Sequence, residues 1–319
     1  LLLTGDQVYI DATAGLFDPA LLSDRYDLPY TNLRSSPAVR EVFRRLPVHT
    51  VPDDHELEDN WEPIDSRAED ARRHGVKAFR QHFRDHDQAP IFYSLDEDDF
   101  CFFLADARTE RQQRDSGSVT AAKIMGRAQW NQMEDWLRAR SKRQRPCFLV
   151  TGSMVLPRLA RAAGPHATAA LHSDAWDGYP ASLHQLLAWI FEFDLSHLVL
   201  LSGDAHLHGI ASIRLTCRDH PAHPHRAVVC HSVHAPAWHA PFPFANARAD
   251  EHLCRDNFTF TVGGCTYRCR VRAGFGPAAD GYMEVQVRER NSEQDRRRRR
   301  WEVIARHGID QTWRKRFLI

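Results

Sequence analysis

The sequence predicts an α/β fold with one chemically active sheet edge, and three observations predict it. Short apolar runs rich in β-forming residues alternate with stretches whose apolar positions recur at helical spacing. Nearly every such run ends in a Gly, Asp, His or Ser cluster, at the strand ends where α/β sheets meet their ligands. Beyond Ile210 the helical texture gives way to strands and turns, which adds an antiparallel sheet and an α+β character.

The elements follow in order. Leu1–Leu3 is a strand stub ending in Gly5-Asp6, and no strand precedes it, so the chain is expected to lack its N-terminal strand or strands. Pro37–Leu46 reads as a helix, and the strand Pro47–Val51 ends in Asp53-Asp54-His55-Glu56. The helix Arg67–Asp85 leads to the strand Phe100–Ala105, which ends in Asp106-x-Arg108. Gln129–Arg140 is a helix, and Cys147–Val150 is a strand ending in Thr151-Gly152-Ser153. Pro180–Phe193 is the last covering helix before the strand Leu198–Leu201, which ends in Ser202-Gly203-Asp204-x-His206. Helical segments carry charged faces opposite their apolar ones and are expected to cover the sheet. The later strands are Ile210–Thr216, Ala227–His231, Phe258–Val262, Thr266–Val271 and Tyr282–Val287, with 219–246 a long His- and Pro-rich loop. The whole reads as a single domain over 1–319. Residues 1–215 bear the motifs, 216–290 form a second sheet, and 291–319 are a basic polar tail containing Trp301 and Trp313.

Composition narrows the partners. Lys+Arg and Asp+Glu both number 42 in 319 residues, so no overall field draws the chain to nucleic acid or an anionic surface. No apolar run reaches the roughly 18 residues of a membrane span. Seven cysteines, an odd number without zinc-ribbon spacing, read as buried free thiols and point to a reducing, cytoplasmic compartment. The nineteen histidines bear on metal or proton chemistry only where they cluster with acids. His220, His223, His225, His231, His234 and His239 lack a ligand spacing, and all read as residues of a solvated loop except His231 and His234, which follow a strand. Arg296–Arg300 reads as a solvated face, and no specific nucleic-acid binding is expected.

The strongest constellation joins Asp6, Asp53-Asp54-His55-Glu56 and Asp204-x-His206 at three strand ends. Two cations a few ångströms apart need a bridging carboxylate, further oxygen or nitrogen ligands, and room for a metal-bound hydroxide. Asp6 suits the bridge, Asp54, Asp204 and His206 complete the spheres, and His55 can protonate a leaving alkoxide. Tyr9 serves equally as core filler or as ligand. Arg108 either grips a phosphate with its planar fork or pairs structurally with Asp106. Asp174, Trp176 and Tyr179 form either a lid or a loop packing an aromatic on the sheet.

In these motifs the chain resembles the PhoD-like (alkaline phosphatase D) branch of the calcineurin-like metallophosphatase superfamily. The segments are Gly-Asp-Gln-Val-Tyr-Ile-Asp at 5–11, Asp-Asp-His-Glu-Leu-Glu-Asp-Asn at 53–60, Asp-Ala-Arg at 106–108, and Gln129 with Trp136-Leu137. Asp-Ala-Trp-Asp-Gly-Tyr at 174–179 and Ser-Gly-Asp-Ala-His at 202–206 complete the set, so the resemblance covers roughly residues 1–215. It implies a two-sheet β-sandwich flanked by helices and a metal-dependent phosphoesterase acting on monoesters or diesters. By resemblance Asp6 is the bridging Asp, Tyr9 an iron-binding phenolate, Asp54 a ligand, His55 the general acid, Asp204 and His206 the terminal ligand pair, and Asn60 a further metal-site residue. Iron suits Tyr9, while the oxygen-rich remainder accepts calcium, manganese or zinc. The alternative is a non-catalytic metal- or phosphate-binding protein on a degenerate or truncated phosphatase fold.

Overall fold

The alternating apolar runs become the centre of one eight-stranded sheet. In the computed structural model all residues are described except 13–15, 17, 85–88, 98, 142–144, 242–247, 291–300 and 310–311. The strands lie in the order β3 (Tyr93–Glu97), β4 (Phe100–Ala105), β5 (Cys147–Thr151), β6 (Leu198–Ser202), β8 (Ala227–His234), β7 (Gly209–Cys217), β10 (Cys265–Phe275) and β9 (Arg255–Val262). Neighbours β4, β5, β6 and β8 pair in parallel, and the flanking pairs are antiparallel. Every residue of β5 and β6 is buried, as expected of parallel strands covered on both faces.

Each face has its own cover. On one, α4 (Arg127–Arg140) and α5 (Pro180–Glu192) set Met133, Leu137, Leu186 and Ile190 against Phe103, Leu149, Leu200 and Ile213. On the other, Leu104, Phe148, Val150 and Val199 meet Trp301, Val303, Ala305 and Phe317. Those last four belong to a three-stranded antiparallel sheet of β11 (Met283–Glu289), β12 (Trp301–His307) and β13 (Arg314–Leu318). The result is a two-sheet sandwich flanked by helices. A third cluster packs α1 (Leu22–Ser35) and α3 (Ser66–Phe83) around Val8, Leu57 and Trp61. Beside it β1 (Leu2–Thr4) pairs in parallel with β2 (His49–Val51), and α2 (Pro37–Arg45) leads into β2.

Several expectations are corrected. The strands after Ile210 do not build a separate sheet, because β7 turns back and seats β8 beside β6, extending the first. Periodicity reveals strands but not their partners. The second sheet comes instead from β11 with what read as a polar tail, where Trp301, Val303 and Ala305 are buried on alternate positions of β12. Helix α1 was hidden by Pro29 and by burying only Tyr26 and Tyr30, and β3 by its largely exposed edge. Five of the seven cysteines are buried and none forms a disulfide, although Cys254 is exposed. Among the described residues no helix is long and apolar enough to cross a membrane.

Two predictions follow from this packing. Phe317 stacks on His231 with ring centroids 4.1 Å apart, so Phe317→Ala is expected to cost about 3 kcal/mol in urea unfolding. A residue of a solvated tail would cost no more than about 0.5 kcal/mol. On α5, His184 stacks on Phe260 at 4.7 Å, and burial together with the Arg158 charge lowers its pKa to about 4. The unfolded chain, with a value of about 6.5, takes up the proton first, so this share of stability is complete above that pH and is lost as pH falls toward 4. Between pH 7 and 5 the loss is on the order of 2 kcal/mol, and His184→Leu is expected to flatten the unfolding free energy over that window.

Candidate metal centre

Parallel pairing of Thr4 with Val51 lays the ends of β1 and β2 side by side, and one carboxylate ties the two following turns together. Glu56 accepts the backbone N–H groups of Asp6 (3.1 Å), Gln7 (2.6 Å), Val8 (3.3 Å) and Asp53 (2.6 Å). Burial raises its pKa to about 7, and these N–H groups hold it from going higher. Close approach demands glycine at two places. A Cβ on Gly5, whose φ is +92°, would lie 2.4 Å from Asp53 Cβ, and one on Gly152 would lie 2.7 Å from the Asp53 carboxyl carbon. Among the described residues five non-glycines have positive φ, and four of them, Asp6, Asn60, Asp204 and His206, are sequence-predicted site residues. Backbone strain of this kind gathers at functional sites.

The structure brings Asp6, Tyr9, Asp54, His55, Asp204 and His206 together. Ligand atoms of Asp6, Asp54 and His55 lie within 4.8 Å of one another, as do those of Asp53, Asp54 and Asp204. Asp54 is common to both groups. His206 Nε2 stands 3.0 Å from the Tyr9 hydroxyl and 3.3 Å from Asp6 Oδ2. Burial, then the charges of Asp54, Glu56 and Asp53, pushes the Asp6 pKa well up. Burial, then Asp53, Asp174 and Asp54, does the same to Asp204. Tyr9 is raised by burial and by Asp6.

His55 is held from behind. Its Nδ1 is 3.0 Å from both oxygens of Asp11, which also accepts the Asp59 N–H at 2.7 Å. Burial alone would lower the imidazole pKa, but the Asp11 hydrogen bond and the Asp54 and Asp59 charges lift it to about 9. Asn60 enters the site differently from expectation. Its backbone N–H donates to Asp54 at 2.6 Å, while its exposed side chain donates to Asp59.

Arg108 is likewise corrected. It is fully buried, and it neither faces open space where a phosphate could sit nor pairs through its side chain with Asp106. Its guanidinium donates to Asp53 (2.7 Å), Asp174 (2.9 Å) and Ser153 (3.1 Å), with Asp54 at 3.8 Å. Asp106 instead caps the backbone of Arg108 and Thr109. The 174–179 segment is anchored rather than lid-like. Trp176 is buried with its indole N–H donating to Thr151, and Tyr179 is buried under the guanidinium groups of Arg111 and Arg114.

The donor set fits metal. Asp6 Oδ1, Asp53 Oδ2 and Asp54 Oδ1 are buried and accept no hydrogen bond from the described residues, an arrangement costly for anions unless a cation meets them. Carboxylate oxygens with a phenol and an imidazole suit hard or borderline cations. A cavity of about 160 Å³ opens beside Asp204 and Asp174, with Met154, Leu159, Glu251 and His252 in its walls. Sequence reasoning gave no site role to Asp11 or Ser153, or to Glu56 as a backbone clamp, and offered Asp174 only as part of a lid rather than as a partner of Arg108. The available signals were that Asp11, Glu56 and Ser153 lie inside strand-end motifs and Asp174 in the 174–179 segment. The histidines of 220–239 find separate partners, with His220 on Glu192 and stacked on His223, His234 on Ser202 and His231 on Phe317.

A family model described as PhoD-like phosphatase matches residues 3–295, reaching past the motif-bearing part to beyond the end of β11. Among solved structures, one titled "Structure of PhoD" is similar at 17% identity with a TM-score of 0.54, covering 74% of this chain and 50% of that one. The chain thus spans half the length of that structure, and at this identity the likeness concerns the fold. No curated protein matches the chain.

Removing the buried counter-charge is expected to be severe. Arg108→Met should cost about 3–5 kcal/mol in chemical unfolding, since it strands ionised carboxylates in a dry interior. Ser153→Ala, which removes a neutral partner of the same Asp53 oxygen, should cost about 1 kcal/mol.

Proposed function

The chain belongs to the PhoD-like phosphatase family, and we propose that it hydrolyses phosphate monoesters or diesters at the buried carboxylate cluster. The supporting observation is the trio of buried carboxylate oxygens without donors beside the Asp11-held His55. Residues 1–319 act as one domain in this reading. Asp6, Tyr9, Asp54, Asp204 and His206 would hold two metal ions, drawn from iron, calcium, manganese or zinc. When bound, such ions supply neutralisation of phosphoryl oxygens and water acidic enough to ionise near neutrality.

The remaining roles fall to the chain itself. Arg108 keeps Asp53 and Asp54 ionised and in place, and the Asn60 N–H fixes the second Asp54 oxygen. Asp11 accepts from His55 Nδ1, which orients the ring and leaves Nε2 to carry the proton for the departing oxygen. The alcohol part of the ester enters the cavity beside Asp204, walled by Met154 and Leu159.

The test pairs turnover of p-nitrophenyl phosphate and its bis-ester with elemental analysis. Asp54→Asn and Asp204→Asn are expected to lose metal and at least about 100-fold in rate, whereas His55→Ala keeps its metal and loses about 100- to 1,000-fold. Wild-type rates in both Asp variants would sink the assignment. Bound metal with no turnover of either ester in the wild type would favour the non-catalytic alternative.

A further inference from the structure

The small sheet covers only part of the face it packs on. On β7 the side chains of Ala211, Ile213 and Leu215 enter the helix-covered core, so Ser212, Arg214 and Thr216 point to the opposite side. On β10 the same alternation buries Tyr267, Cys269 and Val271 and turns out Arg268, Arg270 and Arg272. Register then assembles an array. Arg270 lies between Arg214 and Asn257, Arg272 between Ser212 and Arg255, and Arg268 between Thr216 and Thr259.

Five arginines therefore share one sheet face. Arg214, Arg255, Arg270 and Arg272 are exposed and Arg268 is half-buried. None of the five is in an ion pair among the described residues, and Arg268 donates to the neutral Asn257. The carboxylate within this stretch, Asp256, lies on the opposite face, bound to Arg158. With strands about 4.8 Å apart and alternate residues about 7 Å apart, the array covers roughly 10 by 14 Å. A hollow of about 620 Å³ lies over Arg255, Asn257, Arg270 and Arg272. In a chain whose formal charges sum to zero, this is a local concentration of unbalanced positive charge.

We propose that this arginine face is a docking surface for an anionic phospholipid bilayer. The cations spread in two directions across three adjacent strands, which matches a plane of headgroup phosphates better than the single file of a polymer. Between them stand Ser212, Thr216, Asn257 and Thr259, with no aromatic side chain on which nucleic-acid bases could stack. The absence of apolar side chains in the array makes the attachment peripheral, reversible and sensitive to salt. The surface is separate from the carboxylate cluster, and its failure would leave the phosphoesterase reading untouched.

Co-sedimentation of the full chain with vesicles tests it. Binding is expected to equimolar phosphatidylcholine and phosphatidylglycerol, to weaken as salt rises, and to be absent with phosphatidylcholine alone. Arg214→Ser with Arg270→Ser, and separately Arg255→Ser with Arg272→Ser, should each weaken partitioning about 30-fold. Both pairs should keep the wild-type rate on soluble p-nitrophenyl phosphate. The control pair Arg44→Ser with Arg45→Ser on α2 should bind as wild type. No binding to the anionic vesicles overturns the proposal, as does undiminished binding by both arginine-face pairs, which would assign attachment to another basic segment such as Arg296–Arg300. Binding to inorganic polyphosphate or a single-stranded oligonucleotide without binding to vesicles overturns it in favour of a soluble polyanion.

Discussion

A single dehydrated guanidinium holds the centre of this molecule. Arg108 is the counter-charge to Asp53, Asp54 and Asp174, which come from the ends of two different parts of the chain, and its remaining donor reaches Ser153 after β5. Burying that many carboxylates in a dry interior is unfavourable unless charge is balanced and each lone pair is met. Arg108 meets some of them and leaves others for a cation. The positions of β2, β5 and the 174–179 segment therefore answer to one electrostatic requirement, and the packing of Trp176 and Tyr179 keeps water from weakening it.

Backbone geometry carries a matching cost. Asp6, Asn60, Asp204 and His206 occupy the left-handed region, at about 1–3 kcal/mol each. Such a loss is sustained by the surrounding sandwich, whose central strands are covered by α4 and α5 on one face and by β12 and β13 on the other. Rigidity around the cluster is thus a product of core packing well away from it. The order of dependence runs from apolar alternation, to sealed sheet, to strained turns, to convergent side chains.

Much of this was legible in the sequence, because strand-end chemistry is local. The acids and histidines at Asp6, Asp54, His55, Asp204 and His206 follow directly from apolar runs that stop at Gly or Asp, and the structure draws them together. What local reading could not supply were properties that depend on pairing. Glu56 becomes a clamp only once β1 lies parallel to β2, and Arg108 turns inward only because Asp53 and Asp174 arrive from distant segments. The seating of β8 between β6 and β7 is likewise a matter of partner choice, invisible to periodicity. The strands β12 and β13 escaped notice because a charged stretch and scattered arginines mask an alternation that buries Trp301, Val303 and Phe317.

The residues that line the cavity beside Asp204 differ in their freedom. Asp174 and Asp204 are bound into the charge balance around Arg108, while Arg248, Glu251 and His252, which also line the cavity, lie outside that balance. Under the proposed reading, substitutions at Arg248, Glu251 or His252 would reshape what enters without disturbing how the carboxylates are held, so the reaction and the choice of ester would rest on different residues and could change independently.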